Sequence, residues 1–177
     1  MNKQNVFAWT VMTTMALSGC NCPKKEAAKF AAFNADLAVV VAYGQILSEE
    51  LISLFPKGAV NLHGSLLPRW RGAAPVQRAI HFGDKVSGVT LQKIALKLDA
   101  GDVLGVRKVE ISDEMDSQML YDKLKTFGAD LLHIEFMDYI RGNLSGTKQD
   151  VSQVTIAKKI KKEEGLIDWT KTQSEIW

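Results

Sequence analysis

An amide and an imidazole lie two residues apart in this chain, at Asn61 and His63, where an apolar segment ends. Successive side chains of a β-strand point to opposite faces, so these two groups would project from the same side. A hydrogen-bond donor beside a titratable ring suits a reaction in which an oxygen becomes negative and a proton moves. Asp99 offers a carboxylate that could complete the group, and Asp102 competes for the same role. Asp99 could instead only shape the turn before Gly101.

The elements that must position these residues are predicted to form an α/β domain. Four strands are predicted from apolar or alternating runs, over 36–43, 59–63, 88–94 and 102–111. Helices are predicted over 48–54, 74–81 and from residue 117 onward, where Gly128 would divide the last stretch into two. The first strand is apolar throughout, which is typical of burial on both faces. Strands alternating with helices favour an open, mostly parallel sheet whose ligand crevice lies at the carboxyl ends of the strands, beside Asn61 and His63.

Composition is that of one globular domain. The 177 residues are 46% hydrophobic and 24% charged, and no apolar run reaches the ~20 residues that a membrane span needs. The formal net charge of +2 is too small to indicate nucleic-acid binding by itself. Both cysteines, Cys20 and Cys22, lie near the start, so no disulfide framework supports the rest of the chain.

The motifs around Asn61 and His63 resemble those of the methionyl-tRNA formyltransferases. The likeness is strongest over 60–77, Val-Asn-Leu-His-Gly-Ser-Leu-Leu-Pro-Arg-Trp-Arg-Gly-Ala-Ala-Pro-Val-Gln, and it returns over 88–90, 98–102, 157–160 and 162–169. It spans roughly residues 27–177. Related folate-dependent formyltransferases share the Asn-x-His pair and the later Asp. The Arg-Trp-Arg-Gly-Ala-Ala-Pro continuation indicates the branch that acts on charged tRNA.

The resemblance implies a partial Rossmann-like formyltransferase domain. Its reaction would transfer a formyl group from 10-formyltetrahydrofolate to the amine of methionyl initiator tRNA. Asn61 and His63 would stabilise the negative oxygen that forms, while Asp99 would orient His63 and help to relay the amine proton. Folate would contact two loops, formed by Gly44, Gln45, Ile46 and Leu47 and by Ser65, Leu66, Leu67 and Pro68. No metal is expected, because the formyl group is already activated on the folate.

Three segments are predicted along the chain. Residues 1–30 replace the strand and glycine-containing turn with which the family opens, residues 31–150 form an incomplete catalytic core, and residues 151–177 are a linker toward a C-terminal barrel. We expect weak activity on tRNA, because surfaces that position the acceptor would lie in the family parts that this chain lacks. A cytoplasmic enzyme with no stable membrane partner is expected. The opening also resembles a bacterial lipoprotein signal, which would be lipidated at Cys20.

Other interpretations remain open at this point. The chain could be a formyltransferase for a small amine or a sugar nucleotide, or a non-catalytic exported lipoprotein that retains the folate pocket. Arg69 and Arg71 could contact phosphate or substrate, or could simply be solvated. The lysine run over 158–162 is interpreted by default as a solvated face, and an RNA-facing role is the less favoured alternative. His81 and His133 have no supporting pattern and are expected to be structural or surface residues.

Overall fold

A computed structural model describes residues 27, 30–42, 44 and 46–176. Its strands are β1 (Ala38–Val41), β2 (Ala59–His63), β3 (Arg71–Gly72), β4 (Val86–Lys93), β5 (Val103–Glu110) and β6 (Ile156–Ala157). From residue 49 onward, its α-helices are α1 (Glu49–Ile52), α2 (Pro75–His81), α3 (Ser117–Arg141) and α4 (Gln173–Ile176). Two 3₁₀ helices span Val151–Gln153 and Lys162–Gly165. The predicted signal-like opening and Cys20 lie outside the described residues.

The main sheet has four strands in the order β1-β2-β4-β5. Only β1 and β2 are parallel, whereas β4 runs antiparallel to both of its neighbours. The predicted α/β class is confirmed, but the prediction of a mostly parallel sheet is wrong for the described part of the chain. The connection over 94–102 contains no helix, and so short a link returns the chain antiparallel. Alternation of strands and helices does not by itself determine strand direction.

The first strand is less buried than its composition predicted. Val39 and its neighbours in β1 are half-buried, and Val41 is exposed. Among the described residues β1 pairs with β2 alone, so it lies at an edge of the sheet. Its apolar run therefore does not mean burial on both faces here.

The helix α3 is continuous, so the predicted division at Gly128 is wrong. Gly128 faces the sheet, where a side chain would come within 3.6 Å of Val89 and 3.7 Å of Leu62. These are ordinary van der Waals distances, so the position does not require glycine, and packing of the helix on the sheet outweighs the cost of about 1 kcal/mol for glycine in a helix. Leu120 and Leu131 from the same face are fully buried.

Capping residues account for where the helices begin and end. The Ser48 hydroxyl accepts from the Leu51 N–H at 3.2 Å and caps α1, which ends earlier than the predicted range of 48–54. Pro75 opens α2 in the position that suits its missing N–H. Asp116 caps α3 by accepting from the Met119 N–H at 2.7 Å, and Gly142 ends it with φ of +81°. Within the described ranges, no helix is long and apolar enough to cross a membrane.

A second, two-stranded sheet attaches the later part of the chain to the core. In it β3 pairs in parallel with β6, and Ala157 is fully buried. Gly72 has φ of +118°, and a side chain there would meet the Ala157 carbonyl oxygen at 2.8 Å. Residues 151–157, which open the predicted linker, are thereby packed beside the loop that follows β2.

Candidate active site

Asn61 and His63 lie on the same face of β2, because Leu62 between them approaches Gly128 of α3 on the other face. His63 Nδ1 lies 3.7 Å from Asp99 Oδ2. Gln92 is directly opposite Asn61 in the sheet, and its Nε2 donates to Asp99 Oδ1 at 2.9 Å. The structure therefore places His63 beside Asp99, and places Asn61 on the same strand face, opposite the residue that contacts Asp99.

His63 is held by the loop that follows it. Its Nε2 lies 2.8 Å from the Trp70 carbonyl oxygen, and only 6% of the residue is exposed. A carbonyl can only accept a hydrogen bond, so Nε2 must carry a proton in this contact. The nitrogen left for chemistry is Nδ1, on the side of Asp99. Nε2 is hydrogen-bonded, whereas Nδ1 lies just beyond hydrogen-bond distance from Asp99 Oδ2 and would need a small closure to reach it.

Asp99 has the left-handed backbone conformation, with φ of +46°. Its Oδ2 accepts from the Gly72 N–H at 2.9 Å, and its Oδ1 is the atom that Gln92 contacts. Asp102, the competing carboxylate, lies 3.8 Å from Lys93 Nζ instead. Of the two acids, Asp99 is the one that the structure places beside His63.

The side-chain amide of Asn61 is available. The residue is half-buried, and its side chain makes no hydrogen bond with any other described residue. Partly buried amides are usually paired within the protein or with water. A donor left open on the face that carries His63 is suited to an oxygen of a bound substrate.

The loop of predicted folate residues after β2, Ser65 to Pro68, is fixed by buried hydrogen bonds. Ser65 is fully buried and its hydroxyl donates to the Arg69 carbonyl at 2.6 Å, while Thr90 Oγ1 donates to the Ser65 carbonyl at 2.6 Å. The Leu67 N–H donates to Thr90 Oγ1 at 3.2 Å, and the Leu67–Pro68 peptide is cis. Leu67 is also buried, so within this set the half-buried side chains are those of Leu66 and Pro68.

The other predicted folate loop is more open. Gly44 is exposed with φ of +73°, Ile46 is 72% exposed and Leu47 is half-buried. Gln45 lies outside the described residues. A role for these residues in folate binding stays a prediction.

Arg69 is engaged within the protein. Its Nε and Nη2 donate to the two oxygens of Asp84 at 2.9 and 2.5 Å, and its guanidinium lies 4.4 Å from the centre of the Trp70 ring. Trp70 Nε1 donates to the same carboxylate at 2.7 Å. Partial burial alone would raise the pKa of Asp84, but the hydrogen bonds from Arg69 and Trp70 and the charge of Arg69 hold it below its usual range. Asp84 therefore fixes Trp70, whose carbonyl orients His63.

Arg71 is also structural, with 3% of the residue exposed. Its Nε and Nη2 donate to Gln149 Oε1 at 3.0 and 2.7 Å. Sequence reasoning missed Asp84, Gln92 and Gln149. Gln149 is 50 residues from Asp99 along the chain, and no spacing rule could join them.

The lysine run borders an open cavity of about 430 Å³. The residues that line this cavity are Trp70, Arg78, Phe82, Ile156, Lys158, Lys159, Lys161 and Glu164. Arg78 is buried and donates to the Lys158 carbonyl at 3.1 Å and to Glu164 at 2.6 and 3.1 Å. This pair secures the segment after β6 to α2.

His81 is exposed, and its ring packs on Phe82. Among the described residues, no group of three or more His, Cys, Asp or Glu is placed to hold a metal.

Acid should weaken the ion pair between Arg78 and Glu164, which helps to attach the segment after β6 to α2. Hydrogen bonds from Arg78 and from the Lys161 N–H, with the charge of Arg78, lower the pKa of Glu164 to about 2. Because the folded pKa lies below the unfolded one, the contribution is complete above about pH 4.5 and is lost as the pH falls toward 2. A carboxyl ¹³C titration by NMR should give a midpoint near 2 for Glu164. Arg78→Gln should return the midpoint to the usual range, whereas Lys159→Gln should leave it low.

Comparison with known proteins agrees with this fold and site. A family model for formyl transferases matches residues 10–134. The methionyl-tRNA formyltransferase of Bdellovibrio bacteriovorus is 57% identical over 144 residues, which are 81% of this chain and 45% of that protein. The chain spans about half the length of the curated relatives that it matches.

Solved structures share the architecture. HypX from Aquifex aeolicus, in complex with tetrahydrofolic acid, has a TM-score of 0.74 at 20% identity, over 85% of this chain and 26% of that one. The formyltransferase PseJ from Anoxybacillus kamchatkensis, in complex with a UDP-sugar and tetrahydrofolate, has a TM-score of 0.61 at 26% identity, over 67% of this chain and 62% of that one.

The fold and the site define an α/β domain of the Rossmann-like formyltransferase class, with an amide, an imidazole and a carboxylate grouped at one strand end. The family model matches more than half of the sequence. The chain belongs to the formyl transferase family.

Proposed function

We propose that this chain carries the chemical centre of a methionyl-tRNA formyltransferase, which formylates the amine of methionine on initiator tRNA in the cytoplasm. The formyl donor is 10-formyltetrahydrofolate. The observation that carries the proposal is the grouping of Asn61, His63 and Asp99 in a chain 57% identical to a curated methionyl-tRNA formyltransferase. The folate would supply an already activated formyl carbon.

Asn61 suits the role of hydrogen-bond donor to the formyl oxygen. Its amide is half-buried and has no partner among the other described residues, so it is available without breaking an existing contact. Donors fixed in advance stabilise a developing negative charge more than they stabilise the neutral carbonyl. The unpaired amide is the feature of this site that best fits a bound formyl donor.

His63 and Asp99 suit the transfer of the amine proton. Nδ1 of His63 and Oδ2 of Asp99 lie 3.7 Å apart, close enough for a proton to move between them after a small closure. Trp70 holds the imidazole on its far side, so the reactive nitrogen cannot turn away. Asp99 would accept the proton that the attacking amine releases and pass it to N10 of tetrahydrofolate as the bond from N10 to the formyl carbon breaks. A protonated imidazole would add charge-assisted stabilisation.

The choice of acceptor is supported by the relatives and less by the Arg-Trp-Arg motif itself. Arg69 and Arg71 are committed to Asp84 and Gln149, and Trp70 to Asp84 and His63. Their hydrogen bonds build the site, so the motif by itself gives little evidence on the acceptor. A solved sugar formyltransferase of the same fold is 26% identical, much less than the tRNA-linked relative.

Single-turnover assays with labelled 10-formyltetrahydrofolate would test the acceptor. We expect transfer to methionyl initiator tRNA. We expect no transfer above background to an amino-sugar nucleotide. The same protein should bind tetrahydrofolate saturably. Transfer to the sugar amine alone would favour the small-amine alternative, and folded protein that binds no folate would contradict the proposal.

A further inference from the structure

We propose that Gln149 is a positioning residue, which holds Asp99 where its carboxylate faces His63. The inference rests on the proposed function, because it concerns how the proposed proton acceptor is kept in place. Gln149 belongs to the segment between α3 and β6, far from the Asn-x-His motif in sequence. Nothing in the pattern of the chain singles it out.

The amide of Gln149 binds the backbone on both sides of the Asp99 turn. Its Nε2 donates to the Asp99 carbonyl at 2.9 Å and to the Gly101 carbonyl at 2.8 Å. One side-chain nitrogen thus spans the turn and fixes the separation of its two ends. The same nitrogen lies 3.4 Å from Gln92 Oε1. Gln92 in turn donates through Nε2 to Asp99 Oδ1.

Arg71 determines which way this amide points. A guanidinium can only donate, so its two contacts assign the Gln149 oxygen to the Arg71 side and the NH₂ group to the carbonyls. The next residue, Gly72, donates its N–H to Asp99 Oδ2. Strand β3 therefore acts on Asp99 twice, directly through Gly72 and indirectly through Arg71 and Gln149.

Asp99 needs such support because its backbone is strained. Its φ of +46° lies in the left-handed region, which non-glycine residues seldom adopt and which persists where surrounding contacts determine it. Without Gln149 the turn would be free to relax toward ordinary φ values. The carboxylate would then turn away from His63, and a displacement of about 1 Å can reduce a rate about 100-fold.

Three variants separate positioning from a general structural role. Gln149→Ala removes every contact, whereas Gln149→Glu keeps an acceptor for Arg71 but has no hydrogen to donate to the two carbonyls. Gln153→Ala is the matched control, because Gln153 lies in the same segment and contacts only the exposed Asp150. The two readouts are the Gly72 amide proton shift in NMR and the separate kcat and KM for formyl transfer.

We expect both Gln149 variants to move the Gly72 amide proton upfield, because the Asp99 oxygen is no longer held against it. We expect kcat to fall about 10- to 100-fold while KM for the folate changes little. Gln149→Glu should lose some thermal stability, because an oxygen would face the two carbonyls, but it should stay folded, since Arg71 still tethers the segment. Gln153→Ala should match wild type in all measurements.

A Gln149→Glu protein with the wild-type Gly72 shift and kcat would overturn the inference, and so would equal losses in Gln153→Ala. If the wild-type chain transfers no formyl group, the proposed function fails, but the Gly72 shift still decides whether Gln149 positions Asp99. The failure of one proposal is thus distinguishable from the failure of the other.

Discussion

The His63→Ala protein should retain its fold and lose formyl transfer by about 10²–10⁴ in kcat. Nε2 of the imidazole is fixed on the Trp70 carbonyl and Nδ1 faces Asp99, so the substitution removes both a group proposed to stabilise the reacting oxygen and the neighbour of the proposed proton acceptor. Asn61→Ala should cost about 10²–10³, the usual effect of removing one oxyanion donor. Rates under saturating substrates give both values.

His133→Ala is the matched control. It removes an exposed histidine on α3 and should leave the rate unchanged. Because His63→Ala also leaves the Trp70 carbonyl without its partner, thermal unfolding should show a loss of about 1–3 kcal/mol. A His63→Ala protein that keeps a rate near wild type would show that the imidazole only supports the loop.

The double variant adds a further test of the site. If Asn61 and His63 stabilise the same negative oxygen, the combined loss in kcat should be smaller than the product of the single losses, because groups that act as a unit are not additive. Independent roles would give the full product. The comparison needs only the three variant rates and the wild-type rate.

The same-face placement of Asn61 and His63 could be predicted from the sequence, since it follows from the two-residue period of a strand alone. The helices at Pro75 and Ser117 were also predictable, from a proline and a repeating apolar face. These features depend on neighbours within a few residues. Sequence patterns report such local constraints well.

Features that depend on distant contacts could not be predicted in this way. The direction of β4 is determined by which strand it meets, and the strand pattern is the same in either direction. Gly128 reads as a helix breaker until the packing of its helix face on the sheet, beside Leu62 and Val89, is known. Gln92 and Gln149 are ordinary polar residues in sequence, and only the folded chain brings their amides to Asp99.

The Arg-Trp-Arg motif illustrates how a family signature and a physical role can differ. The motif indicates the tRNA-linked branch by resemblance, and its charges suggested contact with a phosphate. In the structure its side chains bind Asp84 and Gln149 and brace both His63 and Asp99. A motif that resembles one branch of a family can therefore owe its residue types to contacts that build the site.

The Gly101→Ala protein should lose both stability and activity. A Cβ at Gly101 would overlap the Lys93 carbonyl, and Lys93 cannot yield because it ends β4 and pairs with Val60 of β2. The turn over 94–102 must move instead, and Asp99 moves with it. Forcing extra volume into a packed position costs about 1–3 kcal/mol, which a denaturant unfolding curve would measure.

The activity of this variant should fall further than its stability explains. Gly101 is bound through its carbonyl to Gln149, so a shift of the turn also breaks the contact that holds Asp99. We expect kcat to fall by about 100-fold in protein that is still folded at the assay temperature. Gly165→Ala is the control, because a side chain there meets nothing within 4 Å. A Gly101→Ala protein with the unfolding curve and kcat of wild type would contradict this prediction. The turn would then have more room than the structure gives it, and the backbone of the Asp99 loop would not set the position of the carboxylate.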